Sequence, residues 1–321
     1  MADSRFLPIS YFGVYAENWL ATRITKSGSL LRPTTQVSYH QILNKGLSAF
    51  AKIPLTEINS LMIRAWHSDR LGAAGASMAG KETRVLRVIL NTAVADGLLA
   101  VNPVPPFLAR TSTGIAHRPP TELELTEVLK VIEPKFVLAV LLAAFAGLRL
   151  GEWRALLRCD IMHLPNDRFA VTVNKQAQKT NGVWAVYPPK SRDSFRLINL
   201  PAWASDHVLL HLETYTASQP NAKLFDAGQP NAYVDQAWRR AWDDARRAVG
   251  IIGCVRGHDL RHYYGTALAQ RGVSPFELKN AMGHANIATT MVYIHLANGA
   301  SAEVADLLPA PCGFLTPGNR W

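Results

Sequence analysis

Cysteine is scarce in this chain: three among 321 residues, Cys159, Cys254 and Cys312. Their odd number and wide spacing make neither a disulfide framework nor a Cys-x-x-Cys knuckle for a metal, which suits a reducing compartment. Long apolar runs are lacking too. The longest uncharged one, Phe136 to Leu148, is 13 residues, short of the roughly 18 that a membrane-spanning helix needs, and reads as a buried core helix. The opening MADSRFLPIS has no basic region followed by an apolar stretch, so no secretory signal is expected. No internal repeat and no low-complexity segment is found. A secreted disulfide scaffold, a repeat array and a membrane span are excluded, and a cytoplasmic protein is expected.

Acidic residues are the minority among the charges. There are 24 Asp and Glu against 34 Lys and Arg, a net charge of +10. Such an excess favours a polyanionic partner, because each neutralised phosphate releases counterions, although solubility alone also accounts for it. The excess is uneven: residues 1–118 hold 13 basic against 6 acidic residues, the remaining 203 hold 21 against 18. What is plentiful is apolar material, at 48% of the residues. That is enough for two cores in a chain of this length.

Helical periodicity governs residues 8–100, with runs at Tyr11–Thr22, Thr34–Phe50, Asn59–Leu71 and Lys81–Gly97. An all-α domain of about four helices is expected over residues 1–106. Clustered Pro, Gly, Ser and Thr then predict a linker at 107–119. Thr121-Glu-Leu-Glu124 is a capping box that opens a second domain, residues 120–300. There, helices at Phe136–Ala146 and Gly151–Cys159 precede three strand-like runs, Arg168–Val173, Trp184–Tyr187 and Phe195–Leu200. Helices follow at 204–217, 231–247, 258–271, 275–282 and 286–296. A tail, residues 301–321, carries a short helix at 301–308. The fold class expected is mainly α with a small antiparallel sheet, an α+β second domain behind an all-α first one.

Four separated patches carry candidate chemistry. In Ala146-Gly-Leu-Arg-Leu-Gly-Glu152, Arg149 sits in a turn and can offer a planar fork of donors to a phosphate, with Glu152 placed to orient it. Alone, the pair also reads as a surface ion pair. In Pro188-Pro-Lys-Ser-Arg192, Lys190 on a rigid turn can donate a proton to a leaving oxygen, or can be a solvated turn lysine. In His258-Asp-Leu-Arg-His262, His258 and Arg261 share a helix face. The His-Asp-x-x-His spacing there is similar to a zinc-binding helix, but Asp replaces Glu, Arg261 adds a cation and no third ligand stands out. Finally, Met282-Gly-His284 puts His284 in a tight turn after a helix C-cap, and Tyr293 follows nine residues later among apolar neighbours that also suit core packing.

Taken in order, Arg149, Lys190, His258, Arg261, His284 and Tyr293 resemble the boxes of the tyrosine recombinase family, the phage integrases, over residues 10–300. The resemblance implies strand cutting and rejoining without metal, ATP or other cofactor. Tyr293 attacks the scissile phosphate, releases a 5′-hydroxyl and leaves a 3′-phosphotyrosine. Arg149 and Arg261 clamp the phosphate, Lys190 is the general acid, His258 helps accept the tyrosine proton, and His284 hydrogen-bonds the phosphate. Glu152 supports from behind. Lys175 and Lys179 compete for the acid role, and Tyr263 and Tyr264 for the nucleophile. The helical first domain is similar to a core-type DNA-binding clamp. Double-stranded DNA at attachment or core sites is the implied partner, with a homotetramer acting through a Holliday junction in the bacterial cytoplasm, near the nucleoid. Directionality or DNA-bending factors are possible accessories. The first helix begins near residue 10, which leaves no room for an arm-binding domain; either simple sites suffice or the chain has been shortened. A regulator that binds without cutting, a zinc hydrolase on His258 and His262, and a type IB topoisomerase are the competing classes.

Overall fold

The computed structural model describes residues 10–25, 28–109, 118–165, 167–189, 191–228, 233–251 and 255–297. Lys190, Cys254, Cys312, the tail helix expected at 301–308 and most of the expected linker lie outside these residues. The chain divides into two compact units, Met1–Ala116 with Lys179–Val183, and His117–Gln178 with Trp184–Trp321.

In the first unit, α1 (Phe12–Thr22) and α2 (Pro33–Gln41) precede a long helical run, α3 (Ser60–Ala95). Two separate helices were expected where α3 lies. Two helices are what α3 contains: they meet at a kink at Gly75, whose φ of 78° and ψ of 161° are not helical. Arg70 and Glu82 span that break with two 2.8 Å hydrogen bonds, so the two halves are tied by an ion pair as well as by packing. Asn59 caps the start by accepting from the backbone N–H groups of Leu61 and Met62. The core is Phe12, Trp19, Leu47, Phe50, Ile63, Trp66, Leu86, Ile89 and Leu90, all buried. Each such side chain contributes about 1.5–3 kcal/mol when fully withdrawn from water. The indole N–H of Trp66 donates to Gly46 O at 2.9 Å, so the bulky ring is buried with its polar atom satisfied.

The second unit starts at the expected capping box. Thr121 and Glu124 exchange side-chain and backbone bonds, and α4 (Glu122–Val131) follows. Next, α5 (Val137–Phe145) is buried on every side, as its unbroken apolar sequence demands. The short α6 (Leu150–Arg154) ends well before the expected Cys159. Trp153 ends up in an aromatic cluster with Phe225 and Trp238, at ring distances of 4.9 and 5.2 Å.

The sheet differs from the expected three consecutive strands. Among the described residues five strands form two sheets: β1 (Ile161–Leu164), β2 (Arg168–Val173) and β5 (Arg196–Asn199) pair antiparallel in the order β1-β2-β5, while β3 (Gln176–Thr180) and β4 (Val183–Tyr187) form a hairpin of their own. The expected middle strand is thus paired outside the main sheet. Strand β3 is polar (Gln-Ala-Gln-Lys-Thr) and has no apolar alternation to betray it. The register of β5 on β2, Val171 opposite Ile198 and Val173 opposite Arg196, places Arg196 on the same face as buried Ile198.

Helices complete the unit: α7 (Ser205–Thr214), α8 (Asp235–Ala248), α9 (Asp259–Gln270), α10 (Pro275–Met282) and α11 (Ile287–Ala297). A second capping box, Ser274 with Glu277, starts α10, and Gly283 ends it in the left-handed region at φ 61°.

Candidate functional site

The apolar helix α5 stops at Phe145, and the chain turns through Gly147, at φ 63°, into α6 with Arg149 just ahead of the first helical residue. Glu152, one turn on, accepts from the Arg149 backbone N–H at 2.8 Å and from its guanidinium at 2.8 Å. The expected pair is therefore real, but it is not a surface pair. The Glu152 side chain is 3% exposed and that of Arg149 is 33% exposed.

The carboxylate has more than one client. Arg196, reaching in from β5, donates to both Glu152 oxygens at 3.2 and 2.8 Å. Arg261 approaches the same carboxylate at 4.0 Å and donates to the carbonyls of Gly147 and Met282. Arg196 also donates to Ala281 O, and Arg149 to Gly283 O at 3.1 Å. Three guanidinium groups from three parts of the sequence thus converge on one carboxylate and on the turn that carries His284.

The electrostatics follow from that count. Burial opposes ionisation of Glu152, but Arg196, Arg149 and Arg261 outweigh it and hold the carboxyl below its usual range. Burial, and then the like charge of Arg149, push Arg261 down to about 9, which leaves it charged at neutral pH. One negative charge among three positive ones leaves a cluster short of an anion, a costly arrangement in a buried place unless a ligand supplies the missing charge.

His284 is 6% exposed and bonds Thr290 Oγ1 through Nδ1 at 2.9 Å. Burial, followed by the charges of Arg261, Arg149 and Arg196, pushes it down to about 4. A histidine free in the unfolded chain titrates near 6.5, so on acidification the unfolded state takes up the proton first. Stability is therefore expected to fall as the pH drops from about 6.5 towards 4. Thermal melting across that range checks this, and the decline should flatten in His284→Asn.

Tyr293, on α11, is 4% exposed. Its ring lies against Gly265 of α9, where a Cβ would come within 2.8 Å of the ring carbons. Only glycine admits the ring so close to the helix. One turn earlier on α9, His262 Nδ1 meets the Tyr293 hydroxyl at 3.0 Å, and the His284 ring stacks on the tyrosine with centroids 6.1 Å apart. Burial raises the phenol pKa, opposed by Arg261 and Arg149. His258, at the N-cap of α9, sets its ring edge-on to that of His262 at 5.2 Å. Burial and the neighbouring His262 and Arg261 lower its pKa.

Arg149, Glu152, His258, Arg261, His284 and Tyr293 are therefore brought together, from the α5–α6 turn, the start of α9, the α10–α11 turn and α11. Lys190 lies outside the described residues; Gln176 donates to Pro188 O in the same segment at 3.1 Å. Among the competitors, Tyr264 borders the arginine cluster, whereas Lys175 and Tyr263 are held by other partners. Lys175 is paired with Asp160 at 2.7 Å, Tyr263 packs on Phe145, and the Tyr264 ring covers Gly147. Among the described residues no group of three His, Cys, Asp or Glu side chains is placed to hold a metal ion.

Sequence reasoning missed Arg196 and gave His262 no part in the chemistry. Arg196 was discoverable in principle: it alternates with Ile198 on the inward face of β5, and an inward arginine demands a buried carboxylate. His262 was seen only as a possible zinc ligand, and nothing local points it towards Tyr293, 31 residues away.

Comparison with known proteins identifies the family. The model of the phage integrase family matches residues 123–299. An integrase of prophage phiRv2 from Mycobacterium tuberculosis is 31% identical over 307 residues, spanning 94% of this chain and 78% of that protein. Among solved structures, the Tn1549 transposon integrase in complex with a circular intermediate DNA superposes with a TM-score of 0.74 at 19% identity, covering 92% of this chain and 98% of the other. A lambda integrase tetramer bound to a Holliday junction gives a TM-score of 0.60 at 17% identity, with 89% and 76% covered.

Proposed function

Because this chain belongs to the phage integrase family and is a tyrosine-type site-specific recombinase, we propose that it cuts and rejoins DNA through a 3′-phosphotyrosine on Tyr293. The observation that carries the reading is the anion-deficient cluster of Arg149, Arg196 and Arg261 about Glu152, set in the same site as Tyr293.

A phosphodiester supplies the charge that the cluster lacks. Arg149 is the arginine with a partly open face, and its remaining donors take a non-bridging oxygen; Arg261 adds its charge from below. Both gain most when the phosphorus becomes pentacoordinate and its oxygens carry the most negative charge. Arg196 serves Glu152 and so fixes Arg149. His284 adds a ring nitrogen to the phosphate, and Lys190 protonates the departing 5′-oxygen. His258 shares in handling the tyrosine proton. The energy of the phosphodiester is kept in the tyrosyl linkage, so neither ATP nor a metal ion enters the balance.

The basic excess of residues 1–118 fits a clamp on the DNA backbone, over a first domain of residues 1–106, a linker at 107–119 and a catalytic domain at 120–300. Two DNA sites and four protomers joined in a Holliday junction complete the reaction, in the bacterial cytoplasm. Among the described residues no helix is long and apolar enough to cross a membrane.

A nicked suicide duplex from the element's own attachment region, incubated in chelator, tests this. A denaturation-resistant protein–DNA adduct is expected. Its absence on DNA that binds would move the reading to a regulator that does not cut, and adduct formation that needs added metal would remove the metal-free step. Arg149→Ala should slow adduct formation by about 10²–10³-fold, the size seen when a transition-state donor is lost, with the DNA footprint unchanged.

A further inference from the structure

The phenol of Tyr293 must lose a proton as its oxygen attacks phosphorus, and the site has few groups able to take it. A guanidinium has no acceptor to offer. His284 has its Nδ1 committed to Thr290 and stacks its ring on the tyrosine instead of meeting the hydroxyl. His258 is one ring further along, edge-on to His262. The nitrogen that meets the hydroxyl is Nδ1 of His262, at 3.0 Å. The contact is built in by two features of α9: Gly265 provides the space for the tyrosine ring, and His262, three residues before it, stands over the hydroxyl end of that ring.

We propose that His262 is a catalytic residue that takes the Tyr293 proton on Nδ1 during cleavage and returns it during ligation. The inference rests on Tyr293 being the nucleophile. With the ring proton on Nε2, Nδ1 accepts the hydroxyl hydrogen bond. As the Oη–P bond forms and the P–O5′ bond breaks, the phenolic proton passes to Nδ1 and makes an imidazolium, while the 5′-oxygen receives its proton from the general acid. In rejoining, the 5′-hydroxyl attacks, the Oη–P bond breaks, and the imidazolium protonates the departing phenolate. No other reactant is required. Burial raises the phenol pKa, so the proton has to be taken as the Oη–P bond forms, and a neutral imidazole nitrogen is an acceptor able to take it.

The test is single-turnover adduct formation on the nicked suicide duplex, with His262→Ala and His262→Asn beside the unaltered chain. Asparagine keeps a hydrogen-bonding group near the Nδ1 position but is no base. Both variants should cut about 10²-fold more slowly, with melting temperature and footprint preserved, and added imidazole should partly restore His262→Ala but not Tyr293→Phe. A 5′-bridging phosphorothiolate, whose sulfur departs without protonation, should restore Lys190→Ala and leave both His262 variants slow. Wild-type rates in His262→Asn would reduce His262 to a mere prop and overturn the proposal, as would restoration of His262→Ala by the phosphorothiolate. If the unaltered chain itself forms no adduct on DNA that it binds, the reading of Tyr293 fails and this inference with it; if it does and the His262 variants match it, the inference alone fails.

Discussion

Tyr293→Phe is expected to form no covalent adduct with the nicked suicide duplex, while binding the same DNA within about threefold of the unaltered chain. The substitution removes one oxygen and nothing else. The ring keeps its seat against Gly265 and its stacking on His284, and the lost hydrogen bond to His262 costs about 0.5–1.5 kcal/mol of stability. The fold should therefore survive, with melting close to that of the unaltered chain. Covalent chemistry has no such latitude, because without the phenolic oxygen there is no atom to bond phosphorus. Gel analysis after denaturation reads the adduct, and footprinting reads the binding. An adduct that persists in Tyr293→Phe would mean that another residue is the nucleophile.

Glu152→Ala is expected to damage stability and chemistry together. It leaves Arg196 and Arg261, whose side chains are 6% and 3% exposed, without the carboxylate they share. Removing one partner of a buried ion pair costs about 3–5 kcal/mol, and for a domain of this size that lowers the melting temperature by roughly 10 °C. Arg149 loses both its guanidinium partner and the cap on its backbone N–H, so adduct formation should fall by at least the factor expected for Arg149→Ala. Glu152→Gln, which keeps the shape and one acceptor oxygen, should fall between. Calorimetry and single-turnover cleavage check the two halves separately; a melt unchanged in Glu152→Ala would show that the carboxylate is dispensable to the cluster. The acid side gives an independent sign. Glu152 is held below the usual carboxylate range, so its contribution is full above the unfolded value near 4.3 and is lost as the pH falls through the folded value.

How much could be read beforehand varied with the range of the interactions involved. The Thr121–Glu124 capping box, the buried helix α5 and the left-handed cap at Gly283 each depend on residues within a turn or two, and each is found where the sequence put it. The strand β3 was invisible because its residues are mostly polar and its two buried ones, Gln176 and Ala177, are adjacent, so no apolar alternation marks it. The two helices expected where α3 lies are present and meet at Gly75, but only the structure shows the bond from Arg70 to Glu82 that ties the two halves together across the break.

For the site, the sequence by itself determined which residue types are available, their order, and the local shapes that display them: an arginine ahead of α6, a histidine ahead of α9, a histidine after a glycine cap, and a tyrosine on α11. It did so because capping and turn chemistry act over three or four residues. Only the tertiary structure decided that Arg196 from β5 shares Glu152 with Arg149, 47 residues away, and that His262, not His258, holds the Tyr293 hydroxyl. Those pairings depend on which faces of β5, α9 and α11 turn inward, which the packing of whole elements sets and no local spacing encodes.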